Sequence, residues 1–210
     1  MIHISVRRRT PAMSLTRMIT ALVVCIAFTG LVQAADTAWD DCVSDDPDRS
    51  IDGCTAVLWR DGESALSRAT AFFNRGTAHY EKGNDGLAIQ DLNEAVRLRP
   101  DYTIVLYNRG NLYYNIGDHN RAVQDFSEAI RLKPDFAGAF VGRGIVYGDE
   151  GEYDLAIQDF NEAIRLNPDL AVAFYNRGVA YDKKGDRERA EADFAVARQF
   201  GHGLKWHSPP

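Results

Sequence analysis

Residues 137–170 read AGAFVGRGIVYGDEGEYDLAIQDFNEAIRLNPDL, and this stretch decides the fold because close variants of it recur along the chain. The variants align without a gap at a spacing of 34 residues, with small and bulky apolar residues at matched positions. A period of this length is typical of helical repeat proteins. The four units are 69–102, 103–136, 137–170 and 171–204.

Each unit predicts two helices. Phe140, Gly144 and Tyr147 are spaced so that they share one face of a first helix, and Ala156 and Phe160 continue that spacing on a second helix. The glycine and alanine positions allow the two backbones to approach closely. One such hairpin buries its apolar face only when neighbouring hairpins stack on it, so we expect the four units to form one array.

Glycine and proline mark where the helices of a unit end. Gly151 predicts the turn between the two helices, and Pro168 predicts the end of the second one because it lacks an N–H. Asp169 is well placed to cap the helix that follows.

The recurring pattern closely resembles the tetratricopeptide repeat (TPR) family over residues 69–204. It runs aromatic-x3-Gly-x2-Tyr, then Gly, Ala-x3-Phe-x2-Ala and Pro. The resemblance implies an all-α fold, a right-handed α-solenoid of four TPR helix pairs, with a concave groove lined mainly by the first helix of each pair. It also implies that the groove binds a peptide or a partner protein. The sequence departs from the pattern at His79, which replaces tyrosine, and at Gly201-His202, where proline would stand.

Asparagines recur at one position on the first helices. Asn74, Asn108 and Asn176 share this register, and Gly142 interrupts it in the third unit. The resemblance implies that such asparagines hydrogen-bond the backbone of an extended peptide, for which an amide offers both a donor and an acceptor. The alternative is an asparagine that is merely tolerated on a solvated face.

The second unit adds a stripe of mixed character, in which Tyr107, Asn111 and Tyr114 follow one another at helical spacing. Tyrosine offers a large apolar area with a polar tip, which suits peptide recognition. The alternative is that these tyrosines pack between adjacent hairpins.

Arginine and aspartate recur more strictly than any other polar pair. They could form a row of guanidinium groups for carboxylate ligands, or an ion pair repeated between helices of the stack. All four units carry both members, which favours the structural interpretation. The residues are Arg75, Arg109, Arg143 and Arg177, with Asp91, Asp125, Asp159 and Asp193.

The first 34 residues predict a cleavable signal peptide. Four arginines without an acid precede an apolar run from Met18 to Val32, and cleavage is expected after Ala34. A twin-arginine signal, a start at Met13 and an uncleaved membrane anchor remain alternatives. The interpretation predicts a periplasmic or secreted protein without stable membrane insertion after cleavage.

The net charge of the chain limits which partners it can bind. The leader holds four of the 24 basic residues and none of the 30 acids, so the remainder carries a net charge of about −10. Binding to nucleic acid depends on clustered lysine and arginine, so we expect no nucleic-acid partner.

Residues 35–66 do not fit the repeat and contain Cys42 and Cys54, which we expect to form a disulfide in an oxidising compartment. The two cysteines would lie too far apart on one straight helix, so the chain must turn between them. Asp46 and Pro47 predict that turn, as cap and first residue of a new helix. We therefore expect a disulfide-pinned helical cap on the first repeat.

No motif for catalysis, phosphate binding or a metal site stands out. His202 and His207 are the nearest approach to a metal pair, and they lie in or beside the tail, 205–210. We expect no enzyme activity, no metal and no cofactor. The predicted function is a protein- or peptide-binding scaffold in the cell envelope, and the alternative is a homo-oligomeric structural subunit that self-associates through its uncovered last repeat.

Overall fold

The computed structural model describes residues 37–201, and the regular structure within this range is entirely α-helical. The predicted leader and the tail lie outside the described residues. Helix α1 is described over 37–42, and the others are α2 (Pro47–Leu58), α3 (Ala65–Glu81), α4 (Asp85–Leu98), α5 (Thr103–Asn115), α6 (His119–Leu132), α7 (Ala137–Asp149), α8 (Tyr153–Leu166), α9 (Ala171–Lys183) and α10 (Arg187–Phe200).

Helices α3 to α10 pack as four successive hairpins, α3–α4, α5–α6, α7–α8 and α9–α10. Each second helix also packs against the first helix of the next hairpin, and α5, α7 and α9 contact one another in turn. The result is the all-α solenoid that the repeat predicts. Its first helices lie side by side along one face.

Glycine makes both the turns and the close contacts of the hairpins. Gly151 joins α7 to α8 with a φ of 82°, a backbone conformation that other residues rarely adopt. Within α7, a Cβ on Gly144 would lie 2.7 Å from the ring of Phe160 on α8. The small residue therefore lets an aromatic ring pack directly against the backbone of the partner helix.

The N-terminus of α9 differs from the prediction. Asp169 does not cap α9: the N-cap is Leu170, and no side chain accepts a hydrogen bond there. The main chain satisfies this turn instead, because Ala171 N–H donates to the Asp169 carbonyl at 2.9 Å. The tight connection after Pro168 leaves the carboxylate outside the cap position.

The segment before the repeats forms the predicted pinned pair of helices. Cys42 and Cys54 are disulfide-bonded, with their Cα atoms 4.4 Å apart, and both are fully buried. Asp46 caps α2 by accepting from the N–H groups of Asp48 and Arg49, and Pro47 is the first residue of the helix. Helix α2 packs against α3. By closing a loop of this length, the disulfide contributes about 3 kcal/mol to stability.

Candidate partner-binding groove

Three cavities follow one another along the face formed by the first helices. The central cavity, about 480 Å³, lies between α3, α5 and α7. The N-terminal cavity, about 400 Å³, lies between α3 and the α1–α2 segment, and the C-terminal cavity, about 110 Å³, lies between α7 and α9. Together they form a continuous groove. Thr77 and Glu81 line both the N-terminal and the central cavity, and Ile145 lines both the central and the C-terminal cavity.

The central cavity contains three of the residues predicted to bind a ligand. Asn108, Asn111 and Tyr114 all project from α5 into it. The amides of Asn108 and Asn111 are half-buried, and neither makes a side-chain hydrogen bond to another residue in 37–201. Two amides therefore offer donors and acceptors to an incoming molecule, at one place in the groove.

The other two asparagines of the repeated position lie in the neighbouring cavities. Asn74 lines the N-terminal cavity, where its amide nitrogen lies 3.9 Å from the sulfur of Cys42. Asn176 lines the C-terminal cavity and donates to the carbonyl of Val172 at 2.8 Å. The structure thus places the asparagines on one face but does not bring them together in one cavity.

Tyr107 takes a different position from the rest of its stripe. Its ring packs against Phe126 and Phe136, with centroid distances of 5.9 and 5.0 Å, and it does not line the central cavity. The residue is half-buried between hairpins. Its contacts match the packing alternative that the sequence left open.

Gly142, which interrupts the asparagine register, packs directly against an aromatic ring. A Cβ at this position would lie 2.7 Å from the ring of Phe126, which reaches beneath α7 from the preceding repeat. Gly142 and Ile145 line the central cavity on its α7 side.

Hydrogen bonds between first helices fix the rim of the groove, and these partners were not predicted. Tyr114 donates to the carboxylate of Asp149 at 2.7 Å, and Asn115 donates to the hydroxyl of Tyr80 at 2.6 Å. Burial first, and then the bond to Asp149, raise the pKa of Tyr114 to about 12. In both hydrogen bonds the two residues are 35 positions apart in the sequence, which is one repeat of 34 residues plus one.

The arginine–aspartate pairs are structural. In every hairpin the guanidinium donates two bonds of 2.7–2.8 Å to a carboxylate on the second helix, and each aspartate is only 6% exposed. The hydrogen bonds that Arg143 donates to Asp159 raise the pKa of Arg143, although burial opposes this. Buried in this way, the arginines do not form a row of free cations for a ligand.

The third nitrogen of each arginine joins its hairpin to the preceding unit. Arg109 donates to Asn93 at 2.8 Å, and the corresponding acceptors for Arg143 and Arg177 are Ser127 and Asn161. Arg75 donates to Thr55 on α2 at 3.0 Å. The disulfide-pinned segment therefore meets the first repeat with the same arginine contact that joins the repeats.

Helix α10 lacks the residues that receive a following hairpin. Ala195 stands where the earlier second helices carry the arginine acceptor. Glu191 and Arg198, both exposed, replace branched apolar residues that are half-buried in the preceding repeats. Those residues are Ile89, Val123 and Ile157 at the first position, and Val96, Ile130 and Ile164 at the second. The outer face of α10 therefore carries two charged side chains where the earlier second helices carry apolar ones.

Residues 37–201 contain no helix long and apolar enough to cross a membrane. The same residues bring together no group of three or more His, Cys, Asp or Glu side chains that could hold a metal ion.

A solenoid of helix pairs with a continuous groove along its first helices defines a repeat scaffold of the kind that binds other proteins. Family profiles support this class. A profile described as TPR repeat matches residues 76–117 and 147–185, and one described as tetratricopeptide repeat matches 104–136. These matches show that the chain contains tetratricopeptide repeats.

Solved structures of MamA have the same fold. One crystal structure of MamA is 27% identical, with a TM-score of 0.68, and covers 75% of this chain and 90% of its own. A second is 24% identical, with a TM-score of 0.70 and coverage of 84% and 97%. MamA from Desulfovibrio magneticus RS-1 is 15% identical, with a TM-score of 0.71 and coverage of 83% and 96%. A comparison with curated protein sequences finds no match.

Proposed function

We propose that this protein is a non-catalytic scaffold that binds a peptide or a protein segment in its groove, with the central cavity as the main site. The observation that carries the proposal is the pair of unengaged amides of Asn108 and Asn111 within a cavity of about 480 Å³. Ligand pockets typically enclose about 300–1,000 Å³ and orient the ligand through a few polar groups. The central cavity fits that description.

The groove also has the geometry for a polypeptide. Its cavities form a line along α3, α5, α7 and α9, which suits an extended chain better than a compact small molecule. Because an extended peptide leaves its backbone N–H and C=O groups free, side-chain amides that offer both donor and acceptor can bind it without regard to sequence.

The cell envelope is the proposed location. The basic and apolar leader supports export, and the Cys42–Cys54 disulfide fits an oxidising compartment. Fractionation of cells that express the full chain tests this proposal. Recovery of the uncut chain from the cytoplasm with free thiols would contradict it.

Affinity capture from envelope extracts tests the groove. Asn108→Ala with Asn111→Ala removes both amides, and Gln124→Ala with Gln158→Ala is a matched control on exposed positions of α6 and α8 that line none of the three cavities. We expect the first pair to weaken retention of the partner about tenfold, because each lost hydrogen bond contributes about 0.5–1.5 kcal/mol. The control pair should retain the partner as the unchanged protein does.

Equal retention by both variants would contradict groove binding, provided that both have the circular dichroism and melting temperature of the unchanged protein. The alternative function, self-association through the last repeat, has less support. Glu191 and Arg198 place charged, exposed side chains on the face where a further hairpin would stack.

A further inference from the structure

We infer that the central and N-terminal cavities together select an extended peptide that carries a bulky apolar side chain near a lysine or arginine. The inference rests on the proposed function and specifies its ligand. It follows from three properties of the groove: an apolar floor, unengaged amides beside it, and unpaired acids at one end.

The floor of the central cavity is apolar and tightly packed. Leu92, Leu112 and Phe126 close it from below, and they are only 2%, 2% and 1% exposed. Gly142 and Ile145 bound the same cavity on the α7 side. Because Gly142 has no side chain, α7 packs directly against the Phe126 ring, and no Cβ occupies the cavity wall at this position. A bulky apolar side chain would gain about 25 cal/mol for each Å² of apolar surface that it buries there.

The amides of Asn108 and Asn111 stand beside this floor. They project from adjacent turns of α5 into the same cavity and have no side-chain hydrogen-bond partner within residues 37–201. A peptide whose side chain enters the cavity would bring its backbone past both amides. Hydrogen bonding to that backbone fixes the peptide without constraining its sequence, so sequence selection is left to the floor and to charge.

Negative charge marks one end of the groove. Glu81 lines both the central and the N-terminal cavity, and Asp45 lines the N-terminal cavity. Neither carboxylate forms an ion pair or a side-chain hydrogen bond with another described residue, and the adjacent Lys82 is already paired with Asp48. The C-terminal cavity instead contains Lys183 together with Asp149, and the Asp149 carboxylate already accepts a hydrogen bond from Tyr114. A basic side chain of the ligand is therefore favoured over the N-terminal half of the groove.

Selection from a library of short random peptides displayed on phage tests the inference, with the purified, disulfide-bonded protein as bait. We expect the recovered peptides to be enriched in an apolar residue accompanied by lysine or arginine. The best of them, labelled with fluorescein, should bind in an anisotropy titration. Asn108→Ala with Asn111→Ala should weaken that binding about tenfold.

Two variants test the floor and the charge separately. Glu81→Lys should weaken the basic peptide at least about threefold, and Glu152→Lys, an exposed acid at the start of α8, should not. Ile145→Ser should weaken binding of a peptide that carries the apolar residue. Leu155→Ser, at an exposed position of α8, should leave that binding unchanged. Each variant is first checked for unchanged helix content.

The outcomes separate the inference from the proposed function. Peptides that bind through Asn108 and Asn111 but are acidic, or lack an apolar residue, would overturn the inference and leave the proposed function standing. Recovery of no peptide, or of peptides that bind equally well to the asparagine variant, would overturn both.

Discussion

Arg109 on α5 and Asp125 on α6 form two parallel hydrogen bonds of 2.8 and 2.7 Å, and this contact recurs in all four hairpins. The third nitrogen of Arg109 reaches Asn93 in the preceding repeat. One side chain therefore holds a hairpin closed and also joins it to its neighbour. Such a contact is part of the scaffold and has no free capacity for a ligand.

Loss of this arginine should be costly. Arg109→Ala leaves the Asp125 carboxylate buried without a partner, and we expect the free energy of unfolding in urea to fall by about 3 kcal/mol or more. Arg131→Ala removes an exposed pair with Glu128 in the same repeat and should cost less than about 1 kcal/mol. Equal losses in the two variants would contradict the structural role of the buried pair.

Two of the four glycines of α7, Gly144 and Gly148, should respond in opposite directions to alanine. Gly144→Ala places a methyl group 2.7 Å from the ring of Phe160, and we expect a loss of about 1–3 kcal/mol in urea unfolding. Gly148→Ala meets no atom within 4 Å and should gain up to about 0.5–1 kcal/mol, because alanine restricts the unfolded chain. A similar loss in both would mean that the hairpin is less tightly packed than described.

The raised pKa of Tyr114 should appear in the alkaline stability of the protein. The folded-state pKa is about 12 and the ordinary value is 10.0, so the folded state holds the proton more strongly. Its contribution to stability is therefore complete below pH 10 and is lost as the pH rises through 12. Tyr114→Phe should show a shallower loss of stability over that interval in urea titrations. An unchanged slope would contradict the link to Asp149.

The outer face of α10 can be converted into a stacking surface. Glu191→Ile, Ala195→Asn and Arg198→Ile together restore the residue types of the inner repeats. We expect the triple variant to self-associate with rising concentration in sedimentation velocity, because it exposes an apolar stripe with an arginine acceptor. If the unchanged protein already self-associates, and the triple variant does so to the same extent, then another surface joins the copies.

The repeat period predicted the helical hairpins, the arginine–aspartate pairs and the glycine turns, because these features are the same in every unit. The start of α2 was also predictable, since Asp46 and Pro47 are local signals. Matched positions do not show which neighbour fills a gap. Only the folded arrangement reveals that Tyr107 packs against Phe126 and Phe136 of its own repeat, and that Gly142 packs against Phe126 of the preceding repeat.

The link between Tyr114 and Asp149 lies between these cases. The two residues are one period plus one residue apart, and Tyr80 and Asn115 pair at the same separation. The spacing was therefore visible in the sequence, but only two such pairs occur. The central cavity itself could not be located beforehand, because it arises where residues of five helices meet.

Photo-crosslinking in cells that express the full chain tests the central claim most directly. A photoreactive phenylalanine at Asn111 lies in the central cavity, and the same group at Gln124 lies exposed on α6, away from it. We predict that irradiation joins a polypeptide to the protein from position 111, and that the adduct is much weaker from position 124. Adducts of equal strength from both positions, or from position 124 alone, would contradict binding in the groove.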